Sequence, residues 1–458
     1  MSRPNILLLM TDQQRWDGLG CSGGWVETPH LDRLAGEGLR FEHCLTNSPV
    51  CIPARLSLAT GLYPHNTGVW NNQHSQLDPQ QPNWMRVLRE LGYRTSLFGK
   101  THLHPHQGDL RQREELMHAY GLDYVDEIGG PRASARVLSH MTAEWEAKGV
   151  WQAYRADIEE RFATVPHVAR PSPLELEDYA DIYVGRKARQ YLEAYQEPAP
   201  WCCWVSFGGP HEPWDTPEPY ASMYDPQAMP APRPAPQDTA PRPEGRLDQM
   251  RSNGPQLEAG DAGAMRANYA GNITLIDEQI GRIFAAVEAR GEWDNTVVVL
   301  VSDHGEMNGD ADLIYKSNLL DPAVRVPLLV RAPGKAAGLV SHTPVEWFDV
   351  GPTLVELAGG QLDYPQFAQS LVPVLDDPDR CHRREAIAEI DGEIALSNEN
   401  WKAVLNAQGQ VYLLFDRRQD PQEQRNLAGR PDIQGLADQL RLRILERVME
   451  SQVGVRRG

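Results

Sequence analysis

Residues 269–304 read YAGNITLIDEQIGRIFAAVEARGEWDNTVVVLVSDH, and they decide the fold. Tyr269, Ile273, Ile276, Ile280, Ile283 and Val287 recur at the spacing of an amphipathic helix, and Gly291 follows where a C-terminal cap is expected. Residues 296–301 then form a β-branched run that stops at Ser302-Asp303-His304. A continuous apolar run after a helix predicts a buried parallel strand. Working outward, residues 5–10 are a second such run, ending at Thr11-Asp12. Thr28-Pro29 opens a helix, residues 84–91 form another closed by Gly92, and residues 94–98 and 201–207 are further strands. Alternation of strand and helix predicts an α/β, doubly wound, mostly parallel sheet flanked by helices. Ligands of such sheets bind beyond the carboxyl ends of the strands. Asp12, Lys100, His211 and Asp303 each follow a predicted strand directly, which makes them the first candidate site residues.

After Leu375 the pattern changes. Short strands at 385–390, 393–397, 401–405 and 411–415 and a helix over 433–449 predict a small α+β subdomain. We therefore divide the chain into a catalytic domain, 1–380, and a C-terminal subdomain, 381–458. Residues 226–243 carry seven prolines among 18 residues and read as a surface loop close to His211. Among 458 residues, 44 basic and 63 acidic side chains give a formal net charge of -19. That balance argues against nucleic acid or an anionic membrane as partner, while a local cluster of cations can still hold an anionic substrate. The longest apolar runs are too short to span a bilayer, the N-terminus lacks a signal-peptide layout, and six scattered Cys do not form a disulfide framework. A cytoplasmic location is the expectation, and a homo-oligomer stays open.

Cys51-Ile52-Pro53-Ala54-Arg55 followed by Leu-Ser-Leu-Ala-Thr-Gly is the most informative motif. Pro53 suits a first helical turn, so Cys51 falls at a helix N-terminus, where partial positive charge favours an anion, with Arg55 one turn on. Spacing alone allows a buried thiol and a surface cation equally well. The motif resembles the signature of the type I, formylglycine-dependent sulfatases of the alkaline phosphatase-like superfamily, with Ala54 where Ser is commoner. The resemblance implies that Cys51 is oxidised to formylglycine by a maturation enzyme. One hydroxyl of the hydrated aldehyde would attack sulfur, and the second would expel sulfate by carbon–oxygen cleavage.

Ser302-Asp303-His304-Gly305-Glu306-Met307 resembles the second metal motif of that family, and residues 5–13 the first, with Gln13 where many members carry Asp. The implied ligands are Asp12, Gln13, Asp303, His304 and modified Cys51, around one divalent metal. Mostly oxygen donors favour Ca²⁺, Mg²⁺ or Mn²⁺, and the resemblance tilts the choice to Ca²⁺. Gly99-Lys100-Thr101-His102 resembles the family's Gly-Lys-Trp-His segment. It implies Lys100 on the sulfate oxygens and His102 handling a diol proton. His102, His104 and His106 alternate in a manner that suits a transition metal, but no partner cluster is visible. Exposed loop polarity is the expectation for His104 and His106. Pro210-His211-Glu212-Pro213 resembles the family's Pro-His-x-Pro loop, implying that His211 serves the leaving oxygen or the sulfate. Lys316, 13 residues after Asp303, is the second expected cation on the substrate. Asn72 either lines the pocket or forms a turn. Trp201, Trp204, Trp214 and Tyr220 are candidates to stack on a ring of the substrate, with packing an equal explanation for the first two.

The implied activity is hydrolysis of a small anionic sulfate ester. A phosphonate monoester or phosphodiester hydrolase of the same superfamily is the alternative. Lys100 and His102 favour the sulfatase, because the phosphonate-specialised hydrolases lack the Gly-Lys-x-His pattern. An unmodified anion-binding protein without turnover is the reading of a different class.

Overall fold

The structure is a computed structural model that describes residues 3–73 and 75–452; the Met1-Ser2 start of the N-terminal reading lies outside the described residues. Eight strands form the main sheet: β1 (Asn5–Thr11), β2 (Leu39–Phe41), β3 (Arg94–Gly99), β4 (Tyr124–Glu127), β5 (Trp201–Ser206), β6 (Thr296–Ser302), β7 (Leu328–Arg331) and β8 (Leu339–Ser341). Their spatial order is β8-β2-β7-β6-β1-β5-β3-β4. All neighbours are parallel except β7, which runs antiparallel to β2 and β6. The fold class expected from the sequence is therefore the one observed.

The all-apolar strands follow from burial on both faces. Ile6, Leu8 and Met10 of β1 join Val297, Val299 and Val301 of β6 in one core. Leu7 and Leu9 join Val298 and Leu300 in the core on the other side. There Ile276, Ile280 and Ile283 pack, from the long helix Asp261–Ala289, which contains the whole periodic segment. Four antiparallel strands, β9 (Glu385–Ile390), β10 (Glu393–Asn398), β11 (Trp401–Leu405) and β12 (Val411–Asp416), form the second sheet, followed by the helix Gln434–Glu450. Among the described residues no helix is long and apolar enough to cross a membrane.

Register places the site. Thr11 pairs with Ser302, so Asp12 and Asp303 leave the sheet side by side. Gly99 pairs with Ser206, so Lys100 and the loop carrying His211 leave at the same edge. Gly99 has φ 111°, and a Cβ there would lie 1.8 Å from Ser206 O, so glycine is required at this exit.

The proline-rich stretch 226–243 is a surface loop, and its hydrogen bonds run to the segment after β6 and to the second sheet. Arg233 N donates to Asp310 Oδ1, Ala311 N to Arg233 O, and Arg266 to Pro230 O. Residues Gln237–Asp238 pair with Arg425–Asn426 after β12. The loop ties the strand-end segment after β6 to the second sheet.

Candidate active site

Cys51 is the first residue of helix α1 (Cys51–Thr60), and Asn72 Oδ1 accepts the next free amide, Ile52 N, at 2.9 Å. Asn72 thus caps the helix that presents the thiol and also stands at the rim of the cavity. Arg55 points inward, fully buried. Its Nε donates to Asp303 Oδ2 (2.8 Å), Nη2 to Asp12 Oδ2 (3.0 Å), and Nη1 to Lys100 O (2.6 Å) and Ser206 Oγ (3.1 Å). It holds the two strand-end carboxylates in place and does not line the cavity.

Because Arg55 takes one oxygen of each carboxylate, the other two face His304 and Cys51. His304 Nε2 lies 3.1 Å from Cys51 Sγ, 3.7 Å from Asp303 Oδ1 and 3.9 Å from Asp12 Oδ1; Asp12 Oδ1 is 4.0 Å from Sγ. The Nδ1 of His304 faces Gly305 O at 3.1 Å, which leaves Nε2 as the ligating nitrogen. These four donors lie within 4.8 Å of one another, and the two carboxylate oxygens that Arg55 leaves, beside an imidazole, fit a divalent cation. Gln13 sits beside them with φ 69°, an uncommon backbone state for a non-glycine residue. Its amide N donates to Asp303 Oδ1 (3.1 Å), but its side chain is engaged elsewhere. Nε2 donates to Glu212 Oε2 (2.8 Å) and to Glu306, and Oε1 accepts from Lys316.

A cavity of about 320 Å³ opens over Cys51, lined by Lys100, His102, His211, Lys316, Arg132 and Tyr315 among others. Lys100 Nζ is 3.8 Å from Sγ and pairs with Asp12 Oδ2. Lys316 Nζ, also lining the cavity, is 2.7 Å from His211 Nε2, whose Nδ1 donates to Glu212 O at 2.7 Å. Burial would raise the Cys51 thiol pKa, yet Lys100, His304 and Lys316 reverse this and hold it well below the usual thiol range. Burial also opposes ionisation of Asp12, and Lys100, His211 and Arg55 outweigh it. His102, with φ 55°, is kept neutral by burial and by Lys100. Glu306 is pushed up to about 7 by burial and by neighbouring Glu212.

Every site residue expected from the sequence therefore converges on this edge, with Arg55 behind it and the Gln13 side chain turned to Lys316. Two expectations are corrected. Trp201, Trp204, Trp214 and Tyr220 are buried in the cores and do not line the cavity; Tyr315 is its aromatic wall. His104 is 1% exposed, and it and His106 bond Glu127 instead of facing solvent. Sequence reasoning missed Glu212, Glu306 and Arg132. Glu212 and Glu306 lie inside quoted motifs, as the x of Pro-His-x-Pro and the Glu after Asp-His-Gly. Arg132, which donates to Glu212 Oε1 at 3.1 Å, had no local signal.

A nucleophile at a helix N-terminus, buried strand-end carboxylates and cations around one cavity, on this sheet, define an alkaline phosphatase-like hydrolase of oxyanion esters. The match to known proteins narrows the class. The sulfatase family model matches residues 4–360, so the chain belongs to the sulfatase family and is an enzyme of that kind. A model of the N-sulphoglucosamine sulphohydrolase C-terminal region matches residues 309–450. The chain is 31% identical to the multifunctional alkaline phosphatase superfamily protein PehA of Trinickia caryophylli, over 94% of this chain and 92% of that protein. It is 28% identical to an ulvan-active sulfatase of Formosa agariphila, over 98% and 82%. The solved phosphonate monoester hydrolase of Silicibacter pomeroyi superposes with a TM-score of 0.80 at 25% identity, covering 98% of this chain and 96% of that one.

Proposed function

We propose that this chain hydrolyses a small sulfate monoester, with Cys51 matured to formylglycine and one divalent cation, Ca²⁺ in preference to Mn²⁺ or Mg²⁺, held by Asp12, Asp303 and His304 with Gln13 beside them. The observation that carries the reading is the seat of Cys51. Its Sγ stands at the N-terminus of α1, 3.1 Å from His304 and 3.8 Å from Lys100, and opens onto a cavity walled by cations. A hydrated aldehyde at this position supplies an attacking hydroxyl and a second one for sulfate release, which a thiol does not. The cation supplies charge neutralisation for the ester oxygens. Lys100 and Lys316 both line the cavity and bind the remaining oxygens. Lys316 Nζ donates to His211 Nε2, so the pair delivers a proton to the leaving oxygen. His102, neutral at working pH, accepts one from the hydroxyl that remains.

Hydrolysis of a phosphonate monoester is the second reading, favoured by the likeness to the Silicibacter pomeroyi enzyme. Kinetics on an aryl sulfate and an aryl phosphonate, run beside peptide mass spectrometry at Cys51, test both. Sulfate turnover should exceed phosphonate turnover and track the aldehyde fraction. Faster phosphonate cleavage selects the second reading. If fully unmodified Cys51 protein cycles as fast as matured protein, the formylglycine assignment fails.

A further inference from the structure

Beyond His102 the loop carries a second group of donors that the reaction centre leaves unused. His104 and His106 turn down onto Glu127, the last residue of β4. His104 Nε2 is 2.7 Å from Glu127 Oε2, and His106 Nε2 is 3.1 Å from Glu127 Oε1, which also accepts from Thr101 Oγ1. No side chain of the three is more than 3% exposed. One ligand atom from each lies within 4.8 Å of the others.

The outer ring nitrogens fix the tautomers. His104 Nδ1 faces Pro105 O at 3.1 Å, and His106 Nδ1 faces Gly129 O at 3.3 Å. A carbonyl oxygen only accepts, so each Nδ1 carries hydrogen and each neutral ring keeps its lone pair on Nε2. His106 Nε2 in addition lies 3.3 Å from the His102 N–H, a long contact that an ion on the same lone pair would replace. With both rings neutral, two imidazole lone pairs converge on one buried carboxylate, an arrangement that needs positive charge, from a proton or a metal ion, between them. Carbonyl partners on the far nitrogens are also what orients metal-ligating histidines.

We propose that His104, His106 and Glu127 form a second cation site, separate from the Asp12–Asp303 cluster, that takes a divalent transition ion of the zinc type. Two imidazoles and one carboxylate suit that ion better than the hard, oxygen-bound cations. Ligand bonds of roughly 2.0–2.2 Å in a tetrahedron put donor atoms about 3.3 Å apart, so seating the ion asks for outward shifts of about half an ångström. The Thr101 hydroxyl stands next to the carboxylate as a fourth donor. The site also bears on catalysis, because the His106 ring lies 4.4 Å, centroid to centroid, from the His102 ring. An ion there anchors the loop that presents Lys100 and His102.

Binding of Zn²⁺ alone, in excess Ca²⁺, tests this on the full chain and on His106→Gln and Glu127→Gln, with folding checked by circular dichroism. Zinc taken up at Cys51 and His304 is common to all three proteins and cancels. The parent should bind one more Zn²⁺ per chain than either variant, or bind it at least tenfold more tightly. Equal binding by all three overturns the proposal and leaves a cluster closed by protons. Should either variant unfold, zinc-edge X-ray absorption of the Cys51→Ala/His304→Ala double variant, which lacks the sulfur and imidazole of the reaction centre, decides. Zinc held by two imidazoles supports the site, whereas no bound zinc, or zinc with fewer than two imidazoles, overturns it.

Discussion

Cys51 shows how far one side chain depends on its neighbours. Thiols elsewhere in this chain are pushed up, half-buried Cys21 to about 11 and fully buried Cys203 to about 12, because burial disfavours the thiolate. Cys51 is just as buried, and Lys100, His304 and Lys316 invert the outcome. A folded pKa held below the ordinary value shifts the balance from thiol towards thiolate. In unmodified protein, alkylation of Cys51 followed by peptide mapping should therefore rise less steeply between pH 7 and 9 than that of an ordinary thiol. A rate that climbs tenfold per pH unit across that range would contradict the electrostatics. Asp303 carries a different burden. It accepts from Arg55 Nε, Gln13 N and His304 N at 2.8–3.1 Å with no exposure. Asp303→Asn keeps the shape and removes the charge, so Arg55 loses half its compensation. We expect bound cation, measured by elemental analysis, to fall below one-tenth of the parent value, and turnover to drop at least 100-fold. Unchanged metal content would remove Asp303 from the ligand set.

At the scale of elements, legibility in the sequence followed burial and length. β1, β5 and β6 are buried on both faces, so their sequences are unbroken apolar runs that end where the chemistry starts. The four strands of the second sheet were legible to within a residue, because turns punctuate them. β2, β7 and β8 have three or four residues each, too few for any period to register. The same limit governs the site. Strand-end residues announce themselves, but Arg132 reaches Glu212, and His104 reaches Glu127, only through packing that no local pattern encodes. The proline-rich loop is the instructive case. Composition marked it as surface, and loops of that kind tolerate trimming when they carry few contacts. This one satisfies Arg266 and Asp310, both buried, through Pro230 O and Arg233 N. Deleting residues 230–243 should thus lower the melting temperature by several degrees, with an unfolding free-energy loss of about 2–4 kcal/mol for the stranded polar groups. A melting temperature within a degree of the parent's would show that those bonds contribute nothing net.

Across the whole molecule, the two sheets are joined by buried charge as well as apolar contact. Asp349 takes both Nε and Nη2 of Arg383 and lies 3.0 Å from His382 Nε2. Glu346 is 3.4 Å from Arg383 and 3.6 Å from Arg447 of the last helix. It also accepts from Tyr63 OH (2.7 Å) and from Ile387 N (2.8 Å), the latter in the first strand of the second sheet. Burial alone would raise Asp349; Arg383 and His382 bring it down to about 2. A carboxylate depressed below its unfolded value adds stability that is fully present above pH 4 and lost as pH falls through about 2. Arg383→Met keeps the apolar stem and deletes the cation, leaving two buried carboxylates short of one partner. Breaking a buried pair from one side costs about 3–5 kcal/mol, and that is the loss expected at pH 7 in denaturant unfolding. At pH 3 both carboxylates in the variant bind protons readily, so the gap between parent and variant should shrink to under half. A gap that stays the same at both pH values would mean that Arg383 joins the sheets by packing and not by charge.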